Sequence, residues 1–277
     1  AVHWKPRSGR AFRGVALAAD ALAYSLNTAA IDVLERVGAP AVIALARRLG
    51  VTTAISELAP MALGASCVIP LELARAYAIV ARDGWDVAVR VIVRVRHGDQ
   101  VLFDAAAPDD PWIDPARRLD RLAAVAGRDP AVRAGATRGQ IVDARTAFVL
   151  RDLMTGVVQR GTATAARALD RPAAGKTGTT NRNGDAWFVG FTGRVTAAVW
   201  IGHDSPTHSL GPRADGAHVA LPVWMRLIAA AEGSRPAEPV PGQPPPGLER
   251  VRIDRETGLL AAPTGASLSL WFAPGAA

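Results

Sequence analysis

The sequence predicts an α+β fold, an antiparallel sheet flanked by helices, and three observations carry that expectation. Helical patterns come first, several of them within the first 158 residues. Strand patterns crowd into the stretch from Ala174 to Gly202. Neighbouring strands there are joined by a tight-turn signal, with no repeated strand–helix–strand unit between them.

Val15 to Ala30 is rich in small apolar residues and reads as a packed helix interrupted near Ser25. A second helical pattern runs from about Ile31 to Val37 and stops at Gly38. A third follows Pro40 to Leu49 and closes at Gly50. Pro70 opens a helix over Leu71 to Ala81, with Glu72 in the first turn, where a negative charge suits the helix dipole. Val87 to Arg96 and Gln100 to Asp104 read as a hairpin about His97-Gly98-Asp99, with its arginines on a solvent face. Residues 105 to 137, rich in Pro, Asp, Arg and Gly, read as a surface insertion with one short helix near Pro115 to Val125. Helical periodicity returns from Gln140 to Val158. Strands follow at Ala174 to Thr180, Ala186 to Thr192 and Val195 to Gly202, the last two separated by Gly193-Arg194. Val219 to Ala231 is the final helix. Six prolines (Pro236, Pro239, Pro241, Pro244, Pro245 and Pro246) make residues 234–247 a stiff, extended linker. Beyond it, Arg250 to Leu260 carries a small hairpin signal about Glu256-Thr257-Gly258.

Composition narrows the function classes. Of 277 residues, 49% are hydrophobic and 21% charged, a balance that excludes wholesale disorder and lets the chain bury a core without metals or disulfides. A single cysteine, Cys67, permits neither an intrachain disulfide nor a cysteine-based zinc site. No apolar run is long enough to span a bilayer. The net charge is +7, and only Lys5 and Lys176 are lysines, so the remaining 30 basic residues are arginines. They are scattered along the chain, and aromatic residues are only 5%, too sparse for base-stacking platforms, so nucleic acid is not an expected partner. The pair His203 and His208 beside Asp204 has no helical ligand spacing and reads as surface loop; no metal and no cofactor are expected. Trp187, Trp200 and Trp224 each sit in an apolar run and read as core.

Chemistry concentrates in short segments. In Ala174-Gly-Lys176-Thr177-Gly178-Thr179-Thr180, a lysine stands beside small hydroxylated residues, an anion-binding arrangement. A phosphate loop is excluded: the glycine it needs is replaced by Asp170, whose charge repels phosphate, and a turn, not a helix, follows the lysine. If the segment is a strand, alternation sends Lys176 and Thr177 to opposite faces. Both serve one site only where the strand borders a cleft and the lysine reaches beneath it. A plain turn or strand end is the competing reading. In Tyr24-Ser25-Leu26-Asn27, Ser25 and Asn27 share a site only in a loop or at a helix cap, and simple capping of the helix near Thr28 competes. Gln159-Arg160-Gly161-Thr162-Ala163 reads as an ordinary turn.

Taken in order, these segments resemble the penicillin-binding transpeptidase family, in particular the transpeptidase domain of the bifunctional class A enzymes. Ser25-Leu26-Asn27 resembles its S-x-N motif and Lys176-Thr177-Gly178-Thr179 its K-T-G motif. Gly161-Thr162-Ala163 stands where the family places it, and Asp185 to Thr192, Ala198 to Asp204 and Ala220 to Trp224 resemble the family's strands and last helix. The resemblance implies a penicillin-binding/β-lactamase-like fold. It also implies D,D-transpeptidase chemistry on peptidoglycan stem peptides, β-lactams as ligands of the parent protein, and an extracytoplasmic location with the parent membrane-anchored. By resemblance, Ser25 and Asn27 form the proton-relay pair, Lys176 supplies electrostatic support, and Thr177, Gly178 and Thr179 grip a carboxylate.

One departure matters. The family acylates the serine of an S-x-x-K motif, and no serine here has a lysine three residues later. The expectation is a transpeptidase portion incomplete at its N-terminus (residues 1–233), a linker (234–247) and a C-terminal extension (248–277), inactive by itself. Two alternatives stay open: a non-catalytic module that binds peptidoglycan or a partner, and a relative of the D,D-carboxypeptidases or β-lactamases. Ala65-Ser-Cys67-Val-Ile69 also departs from the family's more polar version, and nothing in the sequence explains it.

Overall fold

The computed structural model describes residues 14–104, 139–205 and 208–276. The expected helix near Pro115 to Val125 lies outside them. The chain divides into two compact units, one of residues 1–85 with 141–277 and one of residues 86–140.

In the larger unit, α1 (Ala18–Ala23) ends one turn after it starts, because Ser25 takes a left-handed backbone, φ +56°, that no helix continues through. α2 (Asn27–Val37) therefore begins earlier than the apolar pattern indicates, and it stops at Gly38, whose φ of +84° suits glycine. α3 (Ala39–Arg48) follows with Pro40 in its first turn, and α4 (Pro70–Ala81) opens on Pro70, as its sequence indicates. α5 (Ala144–Gln159) starts four residues later than expected, since Asp143 caps it by accepting the N–H groups of Arg145 and Thr146 at 3.0 and 3.4 Å.

A three-stranded antiparallel sheet forms the centre. β3 (Ala174–Thr179) lies at the edge, β4 (Asp185–Phe191) in the middle and β5 (Thr196–Gly202) beyond it. The smaller unit supplies β1 (Arg94–His97) and β2 (Gln100–Asp104), which pair antiparallel about Gly98. Every residue of β1 is exposed, and the strand is shorter than expected: upstream of it Val91 is 90% exposed and gains no burial from pairing.

Each face of the central sheet carries its own buried cluster. On one, Ala186, Phe188, Ala197 and Val199 pack with Val157 and Val158 of α5 and with Leu221, Trp224 and Ile228 of α6 (Leu221–Glu232). Trp224 is fully buried, meets Phe188 edge-on at 4.8 Å and donates its indole N–H to Ala197 O at 3.1 Å. On the other face, Ala174 and Phe191 meet Met154, with Tyr77, Leu150 and Val240 around them. Burial of each such large side chain contributes about 1.5–3 kcal/mol.

Trp200 and Trp187 depart from the core reading. Trp200 is 40% exposed and Trp187 half-buried, because both lie on the β4–β5 face opposite Phe188 and Val199. Trp200 satisfies its indole N–H on Asp185 Oδ1 at 2.8 Å instead.

Buried charges are paired. Arg151 donates to Val80 O, Ala81 O and Pro241 O at 3.0–3.4 Å and lies 2.6 Å from Asp83. Glu232 accepts from Arg171 and from the Thr192 hydroxyl, fastening the β4–β5 turn to the end of α6. The proline-rich segment 234–247 runs back along the body, with Glu238 2.8 Å from Arg194 and Val240 against the second cluster.

The last strands differ from the sequence reading. β6 (Glu249–Asp254) pairs in register with β7 (Ser267–Phe272), and only an isolated bridge joins Ile253 to Leu260. The turn signal at Glu256-Thr257-Gly258 is real, but the alternating Ser267–Phe272 offers a full six-residue partner, while Pro263 cuts short the nearer one.

Candidate active site

The site grows from the exposed edge of β3. The Thr180 N–H donates to Asp185 O at 3.1 Å, and at the far end of β4 the Thr192 N–H donates to Val195 O at 2.9 Å. With the registers Lys176↔Val189 and Val189↔Ala198, these bonds fix the parity of the ladder. Ala174, Lys176, Gly178 and Thr180 turn their backbone groups to β4, and Gly175, Thr177 and Thr179 turn theirs to the open edge. The alternation that separates the Lys176 and Thr177 side chains thus places the Thr177 and Thr179 N–H groups on one rim.

Lys176 does reach around that rim. Its Nζ donates to Thr177 O at 3.0 Å and to Ser25 Oγ at 2.8 Å, across 151 residues of sequence. Burial without a carboxylate bonded to it pulls the Lys176 ammonium down to about 8 from the ordinary 10.5. The left-handed backbone at Ser25 is what presents this hydroxyl: α1 closes behind it through Ser25 N–H to Leu22 O at 3.2 Å and Leu26 N–H to Ala21 O at 2.9 Å. Asn27 stands two residues on, as the first residue of α2. The residue before it, Leu26, occupies the cap position, and the helix has no side-chain cap, so the simple capping reading of Ser25 does not hold.

Thr162, read from sequence as part of an ordinary turn, ties the two motif segments together. Its N–H donates to Ala23 O at 3.1 Å, and its hydroxyl shares a 2.7 Å hydrogen bond with the Thr177 hydroxyl. The approach is so close that a Cβ at Gly161 would collide with Ala23 O. Thr179 is held from the other side. Gly216, at the start of the wide turn Gly216–Ala220 before α6, donates its N–H to Thr179 Oγ1 at 3.1 Å. That leaves the Thr179 hydroxyl proton free to be aimed elsewhere. Gly178 is tightly placed as well, since a Cβ there would sit 3.0 Å from Trp187 Cβ.

Gly216 is not evident from sequence, nor is its neighbour Asp215, whose carboxylate caps the turn by accepting from Ala217 N and His218 N at 2.9 and 3.0 Å. The signal available was an Asp-Gly pair just ahead of a helical pattern. Among the described residues there is no group of three or more His, Cys, Asp or Glu side chains fit to hold a metal, and no helix long and apolar enough to cross a membrane.

Chemically, this arrangement can pass a proton between a serine hydroxyl and a lysine amine whose pKa is lowered to about 8. It can also bind an anion with threonine hydroxyls and offer strand-edge N–H groups to a carbonyl.

The chain is similar to known proteins in sequence and fold. A family model described as the penicillin binding protein transpeptidase domain matches residues 4–228. Penicillin-binding protein 1A of Pseudomonas aeruginosa is 33% identical over 285 residues, covering 94% of this chain and 34% of that protein. The protein of the same name from Neisseria flavescens is 36% identical over 232 residues, covering 82% of this chain and 26% of that one. The chain thus spans about a third or less of the length of these relatives. Among solved structures, penicillin-binding protein 1A of Haemophilus influenzae superposes with a TM-score of 0.74 at 25% identity, covering 93% of this chain and 40% of that one. The PonA1 protein of Mycobacterium tuberculosis in complex with penicillin V shares the fold, with a TM-score of 0.62 at 22% identity over 90% of this chain and 62% of that one. The α+β architecture is that of the penicillin-binding transpeptidases, and the chain belongs to the penicillin-binding protein transpeptidase family, alongside the class A proteins of type 1A.

Proposed function

We infer that this chain carries the substrate-holding and proton-relay part of a peptidoglycan D,D-transpeptidase. The observation that carries the reading is the hydrogen bond between Lys176 Nζ and Ser25 Oγ, made where β3 offers an open edge. In this reading a stem peptide ending in D-Ala–D-Ala lies along β3. Thr177 and Thr179 hold its terminal carboxylate, with Gly178 leaving the strand bare for close approach, and the Thr179 N–H polarises the scissile carbonyl. Ser25 and Asn27 relay the proton between leaving and entering amines, and Lys176 sets the potential and the basicity of that relay. β-Lactams, which present a carboxylate beside a strained acyl bond, occupy the same groove. The reaction belongs on the extracytoplasmic side of the membrane, where peptidoglycan is, with the longer protein anchored there.

The nucleophile is not among these 277 residues, because no serine has a lysine three positions on. Removal of the nucleophile from a comparable catalytic unit costs about six orders of magnitude in turnover. The 277-residue chain is therefore expected to hold D-Ala–D-Ala peptides without cleaving them and to form no boiling-resistant adduct with labelled penicillin. A longer polypeptide that adds a family S-x-x-K segment in frame is expected to form the adduct stoichiometrically and to lose it on Lys176→Ala. A stoichiometric adduct on the 277 residues alone would overturn this division of labour. If the longer polypeptide is also unlabelled yet binds peptidoglycan, the chain is a binding module and not an enzyme part.

A further inference from the structure

The segment that presents Ser25 is held by the opposite end of the chain. α1 is only six residues long, too short to keep its place by its own hydrogen bonds. Ser25 immediately beyond it needs surroundings that enforce its left-handed backbone. Much of that enforcement comes from the turn after β6. There the Asp254 carboxylate accepts from Glu256 N, Thr257 N and the Thr257 hydroxyl at 2.9–3.0 Å, and Arg255 N–H donates to Ala266 O at 3.1 Å, so the backbone of residue 255 is fixed.

From this turn the Arg255 guanidinium donates through Nε and Nη2 to Asp20 Oδ2 at 3.1 and 2.9 Å. The other Asp20 oxygen lies 3.3 Å from Arg160 Nε, at the end of α5. Asp20 is 15% exposed, so this is a sheltered, charge-assisted contact and not a surface pair. The Arg255 guanidinium also interacts with Tyr24, the residue directly before Ser25. The same turn brings Gly258 against Leu17, where a Cβ would stand 3.6 Å from Leu17 Cδ2. One small hairpin therefore grips the start, the middle and the end of α1. Residue 255 lies beyond residues 4–228, the span that the family model matches.

We propose that Arg255 is a positioning residue for the site: through Asp20 and Tyr24 it fixes the end of α1 and thereby the place of the Ser25 hydroxyl against Lys176. The inference rests on the reading of Ser25 and Lys176 as a working pair, and the test separates the two. Because Lys5 and Lys176 are the only lysines, biosynthetic 13C,15N-lysine labelling gives a side-chain Cε–Nζ spectrum in which Lys176 is readily assigned with a Lys5→Arg background. The readout is the titration midpoint of Lys176 in the whole chain, alongside the melting temperature.

Ser25→Ala is expected to move the Lys176 resonance; if it does not, the Ser25–Lys176 pair itself is absent and the functional reading falls first. With that pair established, Arg255→Gln is expected to let water in beside Lys176 and raise its midpoint by about half a unit to one unit. Tyr24→Phe, which deletes one hydroxyl, is expected to move it in the same direction by less, and Arg255→Lys to restore part of the shift. Arg252→Gln, on the same hairpin but with its guanidinium donating to Ser267 Oγ, is expected to leave it in place. A merely structural arginine would lower the melting temperature and leave the midpoint alone. Folded Arg255→Gln or Tyr24→Phe protein with an unmoved Lys176 would overturn the proposal.

Discussion

Lys176 does two things that conflict. In the proposed function its ammonium is needed where an anion binds, yet the chain buries it against neutral oxygens, and that burial pulls its pKa to about 8. The consequence for stability has a definite sign. Unfolded, the lysine holds its proton up to about 10.5; folded, it releases it near 8. Below pH 8 both states are charged and the desolvation cost is fully present. Between about 8 and 10.5 the unfolded state binds more protons, so stability rises with pH, and above that window the cost is gone. Lys176→Met removes the cost at every pH while sacrificing two hydrogen bonds to neutral acceptors. At pH 7 the variant is expected to melt higher by about 2–6 °C, the equivalent of about 1–2 kcal/mol in a domain of this size. The gap should close through the alkaline window. Thermal melts at pH 6, 7, 9 and 10.5 check this, and a variant that melts lower than its parent at pH 7 would contradict it. A site residue that lowers stability is the expected signature of selection for chemistry over packing.

At the scale of elements, the proposed function rests on β3, an edge strand kept open on one side and clamped at Thr177 and Thr179. Thr162 clamps it to α1, and Gly216 to the turn before α6. The second clamp tolerates no side chain. A Cβ at Gly216 would run into Trp187 O and lie 2.6 Å from Gly178 O, both backbone atoms of the ladder that cannot step aside. Gly216→Ala is expected to cost about 1–3 kcal/mol, through overpacking and the loss of the N–H bond to Thr179. It would be seen as a lower urea midpoint with an unchanged m-value; an unshifted midpoint would mean that the turn and β3 are not in contact. The sequence made β3, β4 and β5 readable because their signals are local: alternation, Gly193-Arg194 and bounded runs of six or seven residues. Their open edge was readable only by analogy. Which residues meet across it depends on register, and register is a long-range property. Trp200 shows the same limit. Its neighbours are apolar, but only the parity of β5 against Phe188 and Val199 sends it outward to Asp185. Thr162 and Gly216 carried almost no local signal, since a Gly-Thr and an Asp-Gly dipeptide look alike in any turn.

Across the whole molecule, the site draws on residues 20 to 255, so its integrity depends on the larger unit folding as one body. The two buried clusters that hold this unit together are built, among the described residues, from positions outside 86–140. The ends that flank the smaller unit are tied directly: Ile141 N–H and Val142 N–H both donate to Gly84 O, at 2.7 and 3.3 Å. Gly84, with φ +83°, packs so tightly on Val142 that a Cβ would strike its carbonyl. A chain that leaves at Trp85 and returns at Ile141 can therefore be closed by a short loop, and loop-closure entropy changes slowly with length and favours the shorter connection. Replacement of residues 86–140 by a loop of about five Gly and Ser residues is expected to leave a single cooperative transition. The melting temperature should stay within about 4 °C of the parent, the shift that 1 kcal/mol produces in a domain of this size. Circular dichroism melts check it. A broad or non-cooperative transition would mean that the smaller unit contributes to the core, and that the Ser25–Lys176 pair is held by more than the helices, the sheet and the C-terminal hairpin.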